Sequence, residues 1–489
     1  MIHDVAITST RARRQKIRLV ATLIFSLLLA SCSTHERSAL PEYKPDQDQF
    51  LGAKAPTLDY QDPGKWWLSL GLAELDPVLE ASFQNNPALK ISRARLEQRI
   101  SMETQNFALL FPELGAELSS SSSSSQASGK SVTSTSNSLS LKLSYEVDLF
   151  SKNSSRYSAA QLDLLAAIED YKAQVSKHAT NLVTLWLNVA QGKANLRLTE
   201  ERMVFDQANT ELVTNSYRLG SATLADVLQA KEQELTTKIQ ISQLKNKLFT
   251  DTQSLLVILG SNPTKEESFP MDLSQITPRP TATGLPSELI QRRPDLRSAL
   301  INIKAQDERI GQAVADRYPR LTLSASTGTS SDSFSGLTDT GNLFSNLAAG
   351  LTLPILDWGR RKAEVNRQKA LLKEKVAFYQ QTLLSAVQEV QSLISKSEMN
   401  EEAVRLYQSQ IEISKERLDL TKQGFIQGVN LWSQVLASQN QVFTAQKNLL
   451  GSKRDWLQSH IELYGSLGGT WMDKHFESVQ SQLNPEMAP

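Results

Sequence analysis

The chain has 489 residues, and its 52 Lys plus Arg balance its 52 Asp plus Glu, so no chain-wide basic field exists for a nucleic acid partner. One cysteine, Cys32, excludes an internal disulfide framework and a cysteine-based zinc site, and the five histidines are too dispersed for a local metal pair, so neither metal nor cofactor is expected. Only 40% of residues are apolar, which suggests an extended molecule with little core per residue.

Arg11, Arg13, Arg14, Lys16 and Arg18 precede an apolar run over 19–30. As a helix that run rises about 18 Å, short of the ~30 Å hydrocarbon core, so it reads as a signal-peptide segment rather than a transmembrane helix. It ends Leu29-Ala30-Ser31-Cys32, which resembles the bacterial lipobox, where the cysteine thiol takes a diacylglycerol and becomes the new amino terminus. Residues 1–31 are thus expected to be a lipoprotein signal peptide, Cys32 the lipidation site and 32–75 a lipidated amino-terminal segment. Ser33 stands where an Asp would signal inner-membrane retention, which suggests outer-membrane sorting. Trp66 and Trp67 are expected to pack this segment onto the helices that follow.

The rest of the chain repeats itself. Asn86-Pro87-Ala88-Leu89 recurs as Arg293-Pro294-Asp295-Leu296, and Phe111-Pro112-Glu113-Leu114 as Tyr318-Pro319-Arg320-Leu321, both 207 residues on. Phe150 matches Trp358, Gly220 matches Gly428, and Leu259-Gly260 matches Leu467-Gly468, all 208 residues on. The spacing predicts a first repeat over 76–262, a linker over the proline-rich 263–286, a second repeat over 287–471 and a polar tail over 472–489.

Each repeat is expected to hold a strand hairpin. Leu114, Ala116 and Leu118 alternate with polar residues, as do Leu139, Leu141, Leu143, Tyr145, Val147 and Leu149. In the second repeat Leu321, Leu323 and Ala325 form one face, and Leu347, Ala349, Leu351, Leu353 and Ile355 its partner. The serine run within 119–137, and 328–341, are expected to be hairpin loops.

A long helix follows each hairpin. Ile168, Val175, Leu182, Val189, Leu196, Met203, Thr210 and Tyr217 recur every seven residues. Val376, Leu383, Val390, Ser397, Val404, Ile411, Leu418 and Phe425 do the same 208 residues later, so both helices should pack as coiled coils. A helix over 152–217 spans about 99 Å. A return helix over 222–259 gives about 57 Å and one over 87–110 about 36 Å, so the short pair laid end to end matches the long partner. The fold class is therefore mixed α and β, mostly α, a tandem-duplicated unit of strand hairpin plus long coiled-coil helices. Four strands cannot close a membrane barrel, whereas three chains supply twelve.

Glu146-Val147-Asp148-Leu149-Phe150 and Pro354-Ile355-Leu356-Asp357-Trp358-Gly359-Arg360 resemble the strand-to-helix junctions of the TolC-like outer-membrane factors. Tyr217-Arg218-Leu219-Gly220, with Leu224-Ala225-Asp226-Val227-Leu228-Gln229-Ala230, is similar to their first helical turn. Leu463-Tyr464-Gly465-Ser466-Leu467-Gly468-Gly469-Thr470-Trp471 is similar to their carboxy-terminal signature. With the lipobox, the chain resembles the NodT-type lipoprotein branch over nearly all of its mature length. The resemblance implies a homotrimer whose 12-stranded β-barrel in the outer membrane continues into a periplasmic α-helical barrel. It also implies docking to a periplasmic adaptor and an inner-membrane transporter, usually a proton-driven pump, with the chain itself a gated conduit for drugs or toxic compounds and no enzyme.

On that reading the periplasmic tip lies near Gly220 and Gly428. Arg218, Leu219, Gly220, Ser221, Gly428 and Val429 are expected to meet the adaptor. Asp419 is assigned to the acidic constriction that the resemblance implies, with Glu416 and Glu412 one and two turns earlier. Three symmetry-related carboxylates at a narrow aperture would favour cations. Phe111, Tyr145, Phe150, Tyr318, Phe344 and Trp358 suit an interfacial aromatic belt. No nucleophile elbow, P-loop or metal cluster is present in the sequence.

Overall fold

The computed structural model describes residues 64–127, 130–263, 292–469 and 471–483. Cys32, the signal peptide, most of the linker and the end of the tail lie outside them. In chain order the elements are α1 (Trp66–Ser69), α2 (Leu75–Asn85), α3 (Pro87–Ala108), β1 (Glu113–Ala127), β2 (Lys130–Val147), α4 (Lys152–Arg218) and α5 (Leu224–Ile258). The second half supplies α6 (Pro294–Ala315), β3 (Arg320–Ser331), β4 (Leu343–Thr352), α7 (Arg360–Ile426) and α8 (Trp432–Leu467), followed by α9 (Trp471–Leu483). The duplication is literal. α3 and α6 are 22 residues each, and α4 and α7 are 67 each, beginning 208 residues apart. None of the described helices is long and apolar enough to cross a membrane.

One compact unit includes Glu97–Ala167 and Ala299–Tyr379. Its four strands form a single antiparallel sheet in the order β1-β2-β3-β4. The expected hairpin loop over the serine run is wrong: β1 and β2 continue in register from Glu113↔Ser144 to Ala127↔Lys130. Serine is a poor strand former by propensity, but the backbone ladder carries the pairing. Hydroxyl pairs such as Ser119–Ser138 (2.8 Å) and Ser124–Ser131 (2.9 Å) bridge the strands. β3 runs on to Ser331, so the second connection starts later than 328. β4 stops at Thr352, before Leu353 and Ile355, because Pro354 has no N–H for the ladder. Beneath the sheet, Asp148 accepts hydrogen bonds from the Asn153 and Ser154 amides, and Asp357 from the Gly359 and Arg361 amides. The acidic residue in each junction motif is thus a helix N-terminal cap.

Among the described residues, the other unit draws on those within Tyr43–Leu96, Ile168–Ser298 and Gln380–Pro489. The expected seven-residue columns form its core at Val175, Leu182 and Val189 on α4, and at Leu383, Val390, Val404, Ile411 and Leu418 on α7. Trp66 stacks on Tyr464 (5.9 Å) and Trp67 meets Trp471 edge-on (5.1 Å), so both tryptophans pin their segment to the helices. The end of α5 abuts the α2–α3 corner. A Cβ on Gly260 would come within 2.7 Å of the Asn85 carbonyl, and one on Gly468 within 2.9 Å of the Arg292 carbonyl. The short helices therefore join end to end in both halves, as their lengths require.

Candidate functional site

At the first turn Gly220 has φ +80°, the left-handed region that costs a Cβ-bearing residue about 1–2 kcal/mol. This conformation lets the Ser221 amide reach the Ser216 carbonyl (2.9 Å) and the Gly220 amide that of Tyr217 (3.0 Å), satisfying the last carbonyls of α4. The second turn repeats it. Gly428 has φ +74°, with Val429 bonded to Gly424 (2.8 Å) and Gly428 to Phe425 (3.0 Å). A Cβ at either glycine would meet nothing within 4 Å, so both are present for conformation, not for close approach. Thr223 and Asp226 form a reciprocal capping box that starts α5 and holds the Asp226 carboxyl below its ordinary pKa.

The turns expose apolar side chains. Leu219 is 85% exposed and Val429 77%, with Leu224, Ile426 and Leu431 exposed beside them. Arg218 is exposed and donates to the Asn215 side-chain carbonyl (3.4 Å), and the Ser221 hydroxyl bonds to the Ser216 carbonyl (3.0 Å). The two turns thus present an exposed apolar rim with a cation next to it. Behind it Val213, Val227, Leu418, Trp432, Val435 and Val442 make a buried cluster, with Phe425 edge-on to Trp432 at 5.1 Å.

Glu412, Glu416 and Asp419 lie on α7 at spacings of four and three, so they share one stripe. All three are exposed, and none forms a hydrogen bond or ion pair among the described residues. The neighbouring stripe Ile411, Ser414 and Leu418 is buried.

Further along, a polar layer that the seven-residue pattern did not reveal interrupts the core. Asp206 is 3% exposed and accepts from the Thr237 hydroxyl at 2.6 Å, with the Arg202 guanidinium 3.5 Å away. Burial pushes the Asp206 carboxyl up, against the pull of Thr237 and Arg202. Asp206 and Asn209 lie four residues and one before Thr210, the one polar member of its column before the turn, and that was the sequence signal.

Two kinds of surface lack partners among the described residues of one chain. The edges of β1 and β4 carry no strand, and Leu114, Leu118, Leu347 and Leu351 are exposed on the sheet. Met399, Leu406, Ile413 and Leu420 recur every seven residues along an exposed column of α7, and Leu224, Leu228, Leu235 and Ile239 line an exposed face of α5. Of the expected belt residues, Phe111 and Trp358 are exposed, while Phe150 stacks on Tyr318 at 4.8 Å.

The solved structure of a membrane protein from Pseudomonas aeruginosa superposes with a TM-score of 0.82 at 25% identity, covering 89% of this chain and all of that one. The CmeC outer membrane channel of Campylobacter jejuni superposes at 0.85 with 20% identity, over 93% of this chain and 99% of that one. Among sequence relatives, the pyoverdine export outer membrane protein OpmQ of Pseudomonas aeruginosa is 28% identical over 455 residues, 87% of this chain and 91% of its own. The toluene efflux pump outer membrane protein TtgC of Pseudomonas putida is 26% identical over 417 residues, 83% of this chain and 85% of its own. The outer membrane efflux protein profile matches twice, over residues 78–261 and 285–469, and the chain therefore belongs to the outer membrane efflux protein family.

Proposed function

We propose that three copies of this chain build one outer-membrane conduit that carries small toxic organic compounds out of the cell. The observation that carries the reading is the open four-stranded sheet. Unpaired edge groups in lipid cost several kcal/mol each, and three sheets joined edge to edge close at twelve strands with none left over. The exposed seven-residue column of α7 and the apolar face of α5 supply matching coiled-coil seams for neighbouring copies in the periplasm. Cys32 carries the lipid anchor. The apolar rim at Arg218, Leu219, Gly220, Ser221, Gly428 and Val429 docks a periplasmic adaptor, which links the conduit to an inner-membrane transporter, most simply a proton-driven pump. Asp419, with Glu416 and Glu412, forms the acidic constriction, and exposed carboxylates without a partner among the described residues suit that role. The names of the relatives, for pyoverdine, toluene and antibiotics, favour small organic cargo.

The test is size analysis of detergent-extracted protein with planar-bilayer recording. A trimer that forms ion-conducting pores is expected, and a stable single-copy protein that conducts nothing would overturn the proposal.

A further inference from the structure

One face of the sheet changes character along its length. On β1 Leu114, Ala116 and Leu118 share that face with Leu143, Leu141 and Leu139, their cross-strand partners on β2. Ala325 on β3 and Leu347 on β4 continue it in register with Leu143. Leu114, Leu141, Leu143, Ala325 and Leu347 line a shallow apolar groove of about 430 Å³ there. In a closed membrane barrel the apolar face of the strands looks into lipid, so acyl chains lie against this groove.

Past Leu118 and Leu139 the apolar residues stop. The same face goes on as Ser120, Ser122 and Ser124 of β1, opposite Asn137, Thr135 and Thr133 of β2. β3 follows β2 only as far as Asn137↔Ser331, so from there to Ala127↔Lys130 the two strands stand alone as a ribbon. α3 and α4 join the sheet at its other end, so the ribbon tip points away from the periplasm. Above Asn137 every described side chain of the ribbon is exposed, and all but Gln126 carry a hydroxyl. Among the described residues only the Ser124 and Ser131 hydroxyls of this stretch are bonded, to each other at 2.9 Å. A two-stranded ribbon of serines has little side-chain packing to hold it and is marginal in water. At its foot Asn137 is 2% exposed. The Asn137 amide nitrogen donates to the Asp332 carbonyl (3.1 Å), but its buried Oδ1 has no hydrogen-bond partner among the described residues. A buried acceptor of that kind calls for a donor from outside the chain.

The chemistry of this face selects its occupant. Its described side chains include no cation, which disfavours a lipid phosphate or a nucleic acid. They include no aromatic or aliphatic anchor of the kind on which protein interfaces centre. A dense, neutral array of hydroxyls is matched by another such array, a sugar. The groove and the ribbon also lie on one line. Ser120 is six residues along β1 from Leu114 in the groove, about 20 Å of strand. A molecule with acyl chains at one end and sugars at the other spans that distance.

We propose that the outward face of the β1–β2 ribbon, with the groove below it, binds a glycolipid of the outer leaflet. Its acyl chains fill the groove, and its sugars bond Ser120, Ser122, Ser124, Thr133 and Thr135. The inference rests on the trimeric conduit reading above. The test is native mass spectrometry of the full-length trimer, titrated with a short-core lipopolysaccharide and, separately, with phosphatidylglycerol, which offers acyl chains and negative charge but no oligosaccharide. Wild type is expected to hold the lipopolysaccharide roughly tenfold more tightly, and loss of several hydrogen bonds at once in Ser120→Ala/Ser122→Ala/Ser124→Ala should abolish that preference. Ser121→Ala/Ser123→Ala/Ser125→Ala, on the opposite face, should leave it unchanged. If the first triple variant fails to assemble, Thr133→Val/Thr135→Val carries the test, because valine keeps the shape of threonine and favours a strand. A wild-type trimer without the preference, or equal losses from the two serine faces, would overturn the inference. Wild-type protein that forms no trimer would instead sink the conduit reading and this inference with it.

Discussion

Asn86 and Arg293 stand 207 residues apart, and each binds the carbonyl end of its own half's return helix. Asn86 donates to the Ile258 carbonyl at 2.7 Å and Arg293 to the Ser466 carbonyl at 2.9 Å. Asn86 also caps α3, accepting from the Ala88 (2.8 Å) and Leu89 (3.2 Å) amides. In the second half Asp295 accepts from the Leu296 amide and also pairs with Arg293 at 2.8 Å, with Glu389 a second partner at 2.8 Å. One joint is thus built from an amide and the other from a charge network. Asn86→Ala should cost about 1–2 kcal/mol and Arg293→Ala about 2–3 kcal/mol, read from denaturant unfolding of solubilised protein. Arg293→Ala proving harmless would show that the network is ornamental.

The glycines separate conformation from space. Gly260 and Gly220 both have positive φ, but only Gly260 faces backbone at less than contact distance. Gly260→Ala should reduce trimer yield, whereas Gly220→Ala should cost only about 1 kcal/mol. A bulky residue at Gly220 or Gly428 should then abolish efflux by blocking the adaptor while trimer level holds. Full drug resistance restored to a deletion strain by Gly220→Trp and Gly428→Trp would remove the turns from the docking surface.

Asp419→Ala removes a carboxylate with no partner among the described residues, so stability should change by less than about 0.5 kcal/mol. Its effect should appear in conductance and in reduced cation preference, because three copies of the charge face one aperture in the proposed trimer. Unchanged conductance and selectivity would return Asp419 to an ordinary solvated surface position.

His178 is buried with its Nε2 2.5 Å from the Ser82 hydroxyl, and burial pushes its pKa down from 6.5 to about 4. The fold favours the neutral ring, so this contribution is complete above pH 6.5 and is lost as pH falls toward 4. His475, packed on Phe83 at 4.8 Å, is lowered by burial as well and acts in the same direction. Acidification should lower the melting temperature, with up to about 3 kcal/mol lost through His178, and His178→Gln should flatten that slope. A wild-type melting temperature constant from neutral to acid pH would contradict this assignment.

Much of the architecture was written locally. The 207- and 208-residue offsets, the seven-residue columns and the turn glycines each report on neighbours within a few residues or on one copied unit. They were therefore readable from residue order, and helix ends fell within two residues of expectation. The serine ribbon was not readable, because strand pairing there depends on backbone bonds that extend an adjacent hairpin, not on any alternation of its own side chains. The hydrogen bond between Arg202 and Asn440 was hidden for a related reason. Its partners are 238 residues apart, and neither has meaning until the seam of α4 against α8 sets them side by side. Residue order by itself determined the repeated unit, its helix lengths and its turns. Only tertiary packing decided which polar groups would be buried together, because burial is a property of the assembled helices and not of any one of them.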